Sequence, residues 1–549
     1  MIIMCWLFFS SEQEDGKPIA SMFPSNLRKR RGKICTSKDS CYICSCIAAV
    51  AQLAEHWLPK PRVAGSNPVC RSCIPYKNKC TPKSPFQVMA YVFISLIIIG
   101  LLLMATENIN RINKAAVAMF IGVMCWILYI IGAPSFILSE HPLEFFSYIS
   151  SHSISSTTIK EFIASQVFVK YVAQSAEIVL FLMSTATIAE VLNNNGCFDF
   201  IQYALKTQTP QRFLWLTTLL AFAVSANIDN LTCIILLLSI THPLLRDSKA
   251  KRILASNMVI AACCGGAVTA IGDVTTLTLW NAGLITPTHF FLTLAIPVLV
   301  FQAVVTTLLS RCLPERLPYN ESMPAYRGDD NMFSRWQRSF MLFIGIGGLW
   351  FIPTFHRITL LPPFLGALCV LAFLWFINEL FNHSLLNSQK MVRKRLPIAF
   401  QYATMQNLLF FIGLSLMFGA WTETGIPRAI FKFLCSHGVS IYGISSVVTI
   451  FTALFGNLAS LLAGMSIFHT QSSTMLTLPP FVCDGDFWPL LIYCTTMGGM
   501  VLSTSSLAGI ILTRSEDISF GWYFRHITPK VVVGAVVGFI CLCGIQLFA

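Results

Sequence analysis

The chain has 549 residues, 55% of them hydrophobic and only 11% charged, with a positive mean hydropathy; this is the composition of a polytopic membrane protein. No stretch between its apolar blocks is long and polar enough to be a separate soluble domain, so function must sit inside the membrane region. The net charge of +13 does not imply nucleic-acid binding, because residues 1–88 alone supply +8 of it.

Residues 1–88 differ from the rest in being polar, aperiodic and rich in cysteine. Cys41-x2-Cys44 and Cys70-x2-Cys73 have the spacing of a zinc ribbon. However, residues 51–72 resemble the conceptual translation of a bacterial tRNA gene, whose T-arm reads as Gly65 to Pro68. A non-native extension from a start called too far upstream is therefore expected, with Met89 as the true start. No apolar core follows the charged run around Arg28 to Lys33, so this is not a signal peptide.

Twelve apolar segments then begin near positions 88, 115, 171, 213, 255, 289, 340, 359, 398, 442, 487 and 530. Their polar landmarks recur in order. SANIDN (225–230) is answered by TALFGN (452–457), CCGG (263–266) by TMGG (496–499), FFLTLAIP (290–297) by WYFRHITP (522–529), and EIVLFL (177–182) by NLLFFI (407–412). The offset stays near 230 residues, which defines repeat 1 as 171–311 and repeat 2 as 398–549, with helices 89–170 ahead of them and 312–397 between.

Loop charge tests the topology. Full crossing by all twelve segments leaves the two sides with similar numbers of Lys and Arg. If 213–241 and 442–468 are instead re-entrant hairpins, one side receives 20 and the other 5. Arms of about 14 residues at 1.5 Å each reach only about 20 Å, which is short of a crossing. The expected fold is thus all-α and polytopic, with two inverted-topology repeats, about ten transmembrane helices and two hairpins. The helices at 255–281 and 487–513 are broken, and sites in such architectures form at the repeat interface near the midplane.

Asp229 falls at a hairpin tip and Asp273 inside a helix break, at a depth where a carboxylate costs about 2.5–3.5 kcal/mol. Irregular backbone survives there only when it is buried or lines a wet cavity. Gly265, Gly266 and Gly272, echoed by Gly498 and Gly499, allow the break and a close approach by the hairpin tip. Carboxylates with Asn230, Ser225, Thr275, Thr276 and freed carbonyl oxygens make a hard-oxygen site for a small cation, held principally by Asp229 and Asp273. Asn457, Ser505 and Ser506 are the matching groups of repeat 2. Glu177 and Glu190, thirteen residues apart on one apolar helix, suit a proton relay, although Glu177 also suits a snorkelling helix end. His242, His289 and His469 border segments, where histidines are usually interfacial but can sense pH.

With these residues in place, the chain from about 89 to 549 resembles the NhaD-type sodium/proton antiporters of the ion transporter superfamily. The resemblance rests on SANIDNLT (225–232), GGAVTAIGDVTTLTLW (265–280), AEIVLFLMSTATIAE (176–190) and LLFFIG (408–413). It implies exchange of Na⁺ or Li⁺ for H⁺ across a bacterial inner membrane, with no cofactor beyond the transported ions. It also implies alternating access through an elevator-like movement. Apart from the lipid bilayer, a homodimer is the partner such carriers often have. Where the family tends to have Asp-Asn in both hairpins, the second here has Gly456-Asn457. Cys263 replaces an expected Asn, and Thr404 an expected acid. An anion or dicarboxylate carrier of the same superfamily is the rival reading, as is a divergent carrier that has lost sodium exchange. An intramembrane hydrolase would need HExxH or GxSxG, and neither occurs.

Overall fold

The computed structural model describes residues 85–548 apart from stretches within 133–155, 199–208, 243–247, 315–332, 383–397 and 470–478. The zinc-ribbon spacing and the tRNA-like segment lie outside the described residues. Helices α1 (Pro85–Ala105) and α2 (Lys114–Ile131) precede α3 (Val169–Asn194). Repeat 1 continues with α4 (Pro210–Ser225), α5 (Asn230–Thr241), α6 (Ser248–Val268), α7 (Val274–Asn281) and α8 (Pro287–Ser310). Next come α9 (Arg335–Thr359) and α10 (Pro363–Asn382). Repeat 2 comprises α11 (Ile398–Thr422), α12 (Ile441–Phe455), α13 (Asn457–Phe468), α14 (Phe487–Val501), α15 (Leu507–Ser515) and α16 (Thr528–Phe548). Eight of the described helices are long and apolar enough to cross a membrane.

Local chemistry sets the boundaries. Pro210 and Pro287 open α4 and α8 at the first helical turn, where a missing N–H costs nothing. Ser334 and Gln337 form a reciprocal capping box at the start of α9. The hairpin α4–α5 turns at 226–229, and α12–α13 turns at Gly456 alone. At 16 and 12 residues, the arms of the first hairpin rise about 24 and 18 Å, too short to span. Pro297 interrupts α8 internally; at the corresponding place Pro529 begins α16, after the separate short helix Phe520–His526.

Helix ends show that the repeats are inverted. His242, just after α5, has Nδ1 2.8 Å from Glu516 Oε1, just after α15, so both half-helices end on one face. Asn281, the last residue of α7, shares a cavity with His469, just after α13, so that pair ends on the other face. α6 and α7 in series connect the two faces. Followed along the chain, Arg252, Arg311, Arg335 and Arg514 fall on the first face and Arg357 and Arg428 on the second, as the hairpin reading requires. The first is hereafter the basic face.

The site is surrounded by protein. α6 is almost wholly buried, packed on α4, α8 and α14. α2 lies against α11 and α3 against α10 and α11. The exposed flanks of α9 and α10 carry Trp336, Phe343, Trp350, Phe373 and Phe376, an apolar belt suited to lipid.

Candidate ion site

The α4–α5 tip meets the α6–α7 break in the protein interior. Asp229 caps α5, its carboxylate accepting from Leu231 N at 3.1 Å. Asp273 caps α7 in an extended conformation. The Asn230 amide donates to Asp273 Oδ1 at 2.9 Å, and the Thr275 hydroxyl donates to Asp273 Oδ2. Ser225 orients that amide by donating to Asn230 Oδ1 at 2.5 Å. Thr269 ties the break to the tip through the Ala226 carbonyl, 2.7 Å away. Both carboxylates are only 7% exposed, so charge here is removed from bulk water and must be matched within the protein.

This packing explains the glycines. A Cβ on Gly266 would lie 2.1 Å from Asn230 Oδ1, and one on Gly265 2.2 Å from the Phe222 carbonyl. A Cβ on Gly272 would lie 2.7 Å from the Ser225 carbonyl. The hairpin tip therefore rests directly on backbone. In repeat 2 a Cβ on Gly498 would meet the Thr449 carbonyl at 2.6 Å, whereas Gly499 is less tight, 3.2 Å from Asn457 Cβ.

Both half-sites face one cavity of about 50 Å³, enough for a small ion with a few waters. It brings together Asp229, Asn230, Asp273 and Thr275 from repeat 1 with Asn457 and Ser506 from repeat 2. Cys263 and Asn407 also line it. The helix starts at Asn230, Val274, Asn457 and Leu507 converge there, presenting backbone N–H groups and positive dipole ends. Two of those four starts carry carboxylates, and two are neutral.

Three of the residues expected at the site stand behind it. Ser225 supports Asn230, the Thr276 hydroxyl donates to the Asp273 carbonyl at 3.0 Å, and the Ser505 hydroxyl donates to the Ala453 carbonyl. Glu177 and Glu190 lie apart from the cavity: Glu177 accepts from Asn281 Nδ2 at 2.8 Å, and Glu190 is half-buried near the other end of α3. His289 faces Asp484 at 3.8 Å on the face opposite the basic one.

Asn407 and Lys114 were not singled out as site residues from the sequence. Asn407 was visible there only as the repeat counterpart of Glu177. Lys114 opens α2 and sends its ammonium 2.5 Å from the Thr504 carbonyl, inside the α14–α15 break. That break thus has no carboxylate but carries a buried protein cation on one of its freed carbonyls. The side chain of Thr404 lies outside the described residues.

The family profile described as citrate transporter matches residues 94–483, more than half of the chain. The chain belongs to the citrate-transporter family. Within reach of this family, it is 29% identical to sodium/proton antiporter 1 of Arabidopsis thaliana, over 79% of this chain and 68% of that one. It is 27% identical to sodium/proton antiporter 2 of the same plant, over 82% and 98%. The Na(+)/H(+) antiporter NhaD of Vibrio parahaemolyticus is 26% identical over 67% and 90%.

Proposed function

We propose that this member of the citrate-transporter family exchanges Na⁺ or Li⁺ for H⁺ across a bacterial cell membrane, with its basic face in the cytoplasm. One observation carries the reading: two buried carboxylates, each at a backbone break, face a single small cavity between inverted repeats. Two unmatched charges in such a place are costly. Either a metal cation or protons can match them, so the two cargoes compete for the same oxygens. The names of the plant and Vibrio relatives support the same exchange.

In this reading Asp273 is the principal ligand, its oxygens held by Asn230 and Thr275. Asp229 supplies the second charge from the hairpin tip. Asn457, Ser506 and Asn407 offer neutral oxygens from repeat 2. With Lys114 already on the Thr504 carbonyl, repeat 2 contributes oxygens but no second charged site. A carboxylate substrate fits less well, because Asp229 and Asp273 would repel it.

Everted vesicles from an antiporter-deficient bacterium expressing the chain, loaded with a pH-sensitive dye, test this. Addition of Na⁺ or Li⁺ should collapse the proton gradient. No response to Na⁺, Li⁺ or K⁺ at any pH from about 6.5 to 9.5 would sink the reading.

A further inference from the structure

The helices sort into two bundles by what they pack on. In the first, α2 lies along α1 and α11, α3 on α10 and α11, and α9 on α10. In the second, α6 packs on α4, α8 and α14, α8 on α16, and α12 and α13 on α14. Asp229, Asp273, Asn457 and Ser506 all belong to the second bundle. An elevator-like movement carries that bundle past the first, so contacts within either bundle survive it and contacts between them do not.

Polar contacts cross between the bundles at both faces. Opposite the basic face, Asn281 of α7 donates to Glu177 of α3. Its loss strands no buried charge, since the amide is neutral and Glu177 is only half-buried. On the basic face the contacts involve buried charge. Arg514 Nη2, near the end of α15, lies 3.1 Å from Glu107 Oε1, in the turn between α1 and α2. Further in, Lys114 at the start of α2 donates to the Thr504 carbonyl at 2.5 Å.

Glu107 and Lys114 are 8% and 6% exposed. Sliding the second bundle takes Arg514 from one and Thr504 from the other, and a buried charge without a partner is costly. The two residues sit seven positions apart in the same bundle, and Glu107 is near enough to act on Lys114 electrostatically. The second Glu107 oxygen, Oε2, is buried and has no hydrogen-bond partner among the described residues. Lys114 is held away from it just beyond the C-terminal end of α14, where freed carbonyls and the negative end of the helix dipole favour a cation.

We propose that Lys114 and Glu107 exchange partners during transport: here Lys114 holds Thr504 and Glu107 holds Arg514, and once the second bundle has moved, Lys114 closes on Glu107. Both charges are then matched in either state. They are positioning residues, since neither lines the ion cavity. This rests on the transport reading in requiring a site that faces two sides in turn.

Distances between the bundles test the exchange without measuring transport. Spin labels are placed at Ser339→Cys on α9 and Gly521→Cys on the short helix Phe520–His526, which packs on α16, with the other reactive cysteines replaced by serine. Both positions are exposed, and a Cβ at 521 meets nothing. Dipolar electron-spin spectroscopy on protein in lipid nanodiscs gives the populations of the two distances. Arg514→Met frees Glu107 for Lys114 and should shift the ratio about tenfold away from the distance seen here. Lys114→Met leaves Arg514 on Glu107 but strands Glu107 after the movement, so the ratio should shift about tenfold toward it. Two simple struts would both shift it away, which makes the opposite signs decisive. In Glu107→Gln, adding Arg514→Met should change nothing further. The Arg514 side chain is 65% exposed, so this last comparison decides the matter even where Lys114→Met does not fold. One distance in every variant, shifts of a single sign, or an Arg514→Met effect that persists in Glu107→Gln would overturn the proposal. Opposite shifts in a chain that moves no Na⁺ would leave the exchange standing and remove the sodium reading alone.

Discussion

Alanine at position 266 would put a Cβ 2.1 Å from Asn230 Oδ1 and 2.7 Å from the Gly272 carbonyl. To regain a contact of 3.4 Å the amide would have to retreat by about 1.3 Å. Its 2.9 Å bond to Asp273 would then stretch beyond hydrogen-bonding range. Overpacking costs about 1–3 kcal/mol, and a hydrogen bond to a charged group contributes about 1.5–3. Since 1.4 kcal/mol is tenfold, the half-saturating Na⁺ concentration in dye-loaded everted vesicles should rise by about a hundredfold. The Cβ would also press on the Gly272 backbone carbonyl, so the melting temperature should fall as well, and half-saturation is to be compared on protein that elutes as a single species. Gly265→Ala is the contrast, since its Cβ would strike the Phe222 backbone carbonyl at 2.2 Å, with Asn230 not among its nearest neighbours, and should lower the melting temperature with a smaller change in half-saturation. Wild-type half-saturation in Gly266→Ala would refute the assignment of Asn230 as the group that sets Asp273.

Three further outcomes follow from single contacts. Gly456→Asp, which restores the Asp-Asn pair of the first hairpin, should give no second ion site and a less stable protein. Gly456 sits at φ +99°, and a Cβ there would lie 2.7 Å from the Ser505 carbonyl; a gain in cation stoichiometry in flux measurements would contradict this. Lys114→Met should lower the thermal unfolding temperature in detergent by freeing the Thr504 carbonyl and leaving Glu107 facing Arg514 alone, a loss of about 1–3 kcal/mol; an unchanged temperature would show the contact to be idle. His141, in the loop after α2, bonds Glu423 at 2.5 Å and Glu144 at 2.8 Å, and the hydrogen bond to Glu423 raises its pKa above the ordinary imidazole value. Because the folded pKa is the higher one, its stabilisation is complete below about pH 6.5 and fades as pH rises through the raised value. The melting-temperature gap between wild type and His141→Ala should therefore shrink from about pH 6 to pH 9; a gap that widens would reverse the argument.

The inverted architecture could be read from the chain because polar landmarks stand out in apolar sequence. SANIDN and TALFGN mark both hairpin tips, and the double glycines mark both breaks. Short hairpin arms and the uneven placement of Lys and Arg then fixed which segments cross. Hydroxyl direction was not readable. Thr275 and Thr276 are neighbours, yet one bonds the Asp273 side chain and the other its carbonyl, a choice made by helix geometry around residue 273. Ser505 and Ser506 divide differently: Ser505 donates to the Ala453 carbonyl, whereas the Ser506 hydroxyl accepts from the Gly509 N–H and caps α15. Lys114 escaped notice because a lysine opening an apolar helix looks like a topology signal, and its partner Thr504 lies 390 positions away. The partner of Glu177 was equally hidden: Asn281, whose amide donates to it at 2.8 Å, lies 104 positions away.

The most direct measurement uses purified protein in proteoliposomes with a trapped pH indicator. An outward Na⁺ gradient should acidify the lumen in the absence of any other protein. Asp273→Asn, reconstituted at equal density, should give no signal. Sodium flux without proton movement, or full exchange by Asp273→Asn, would contradict the account.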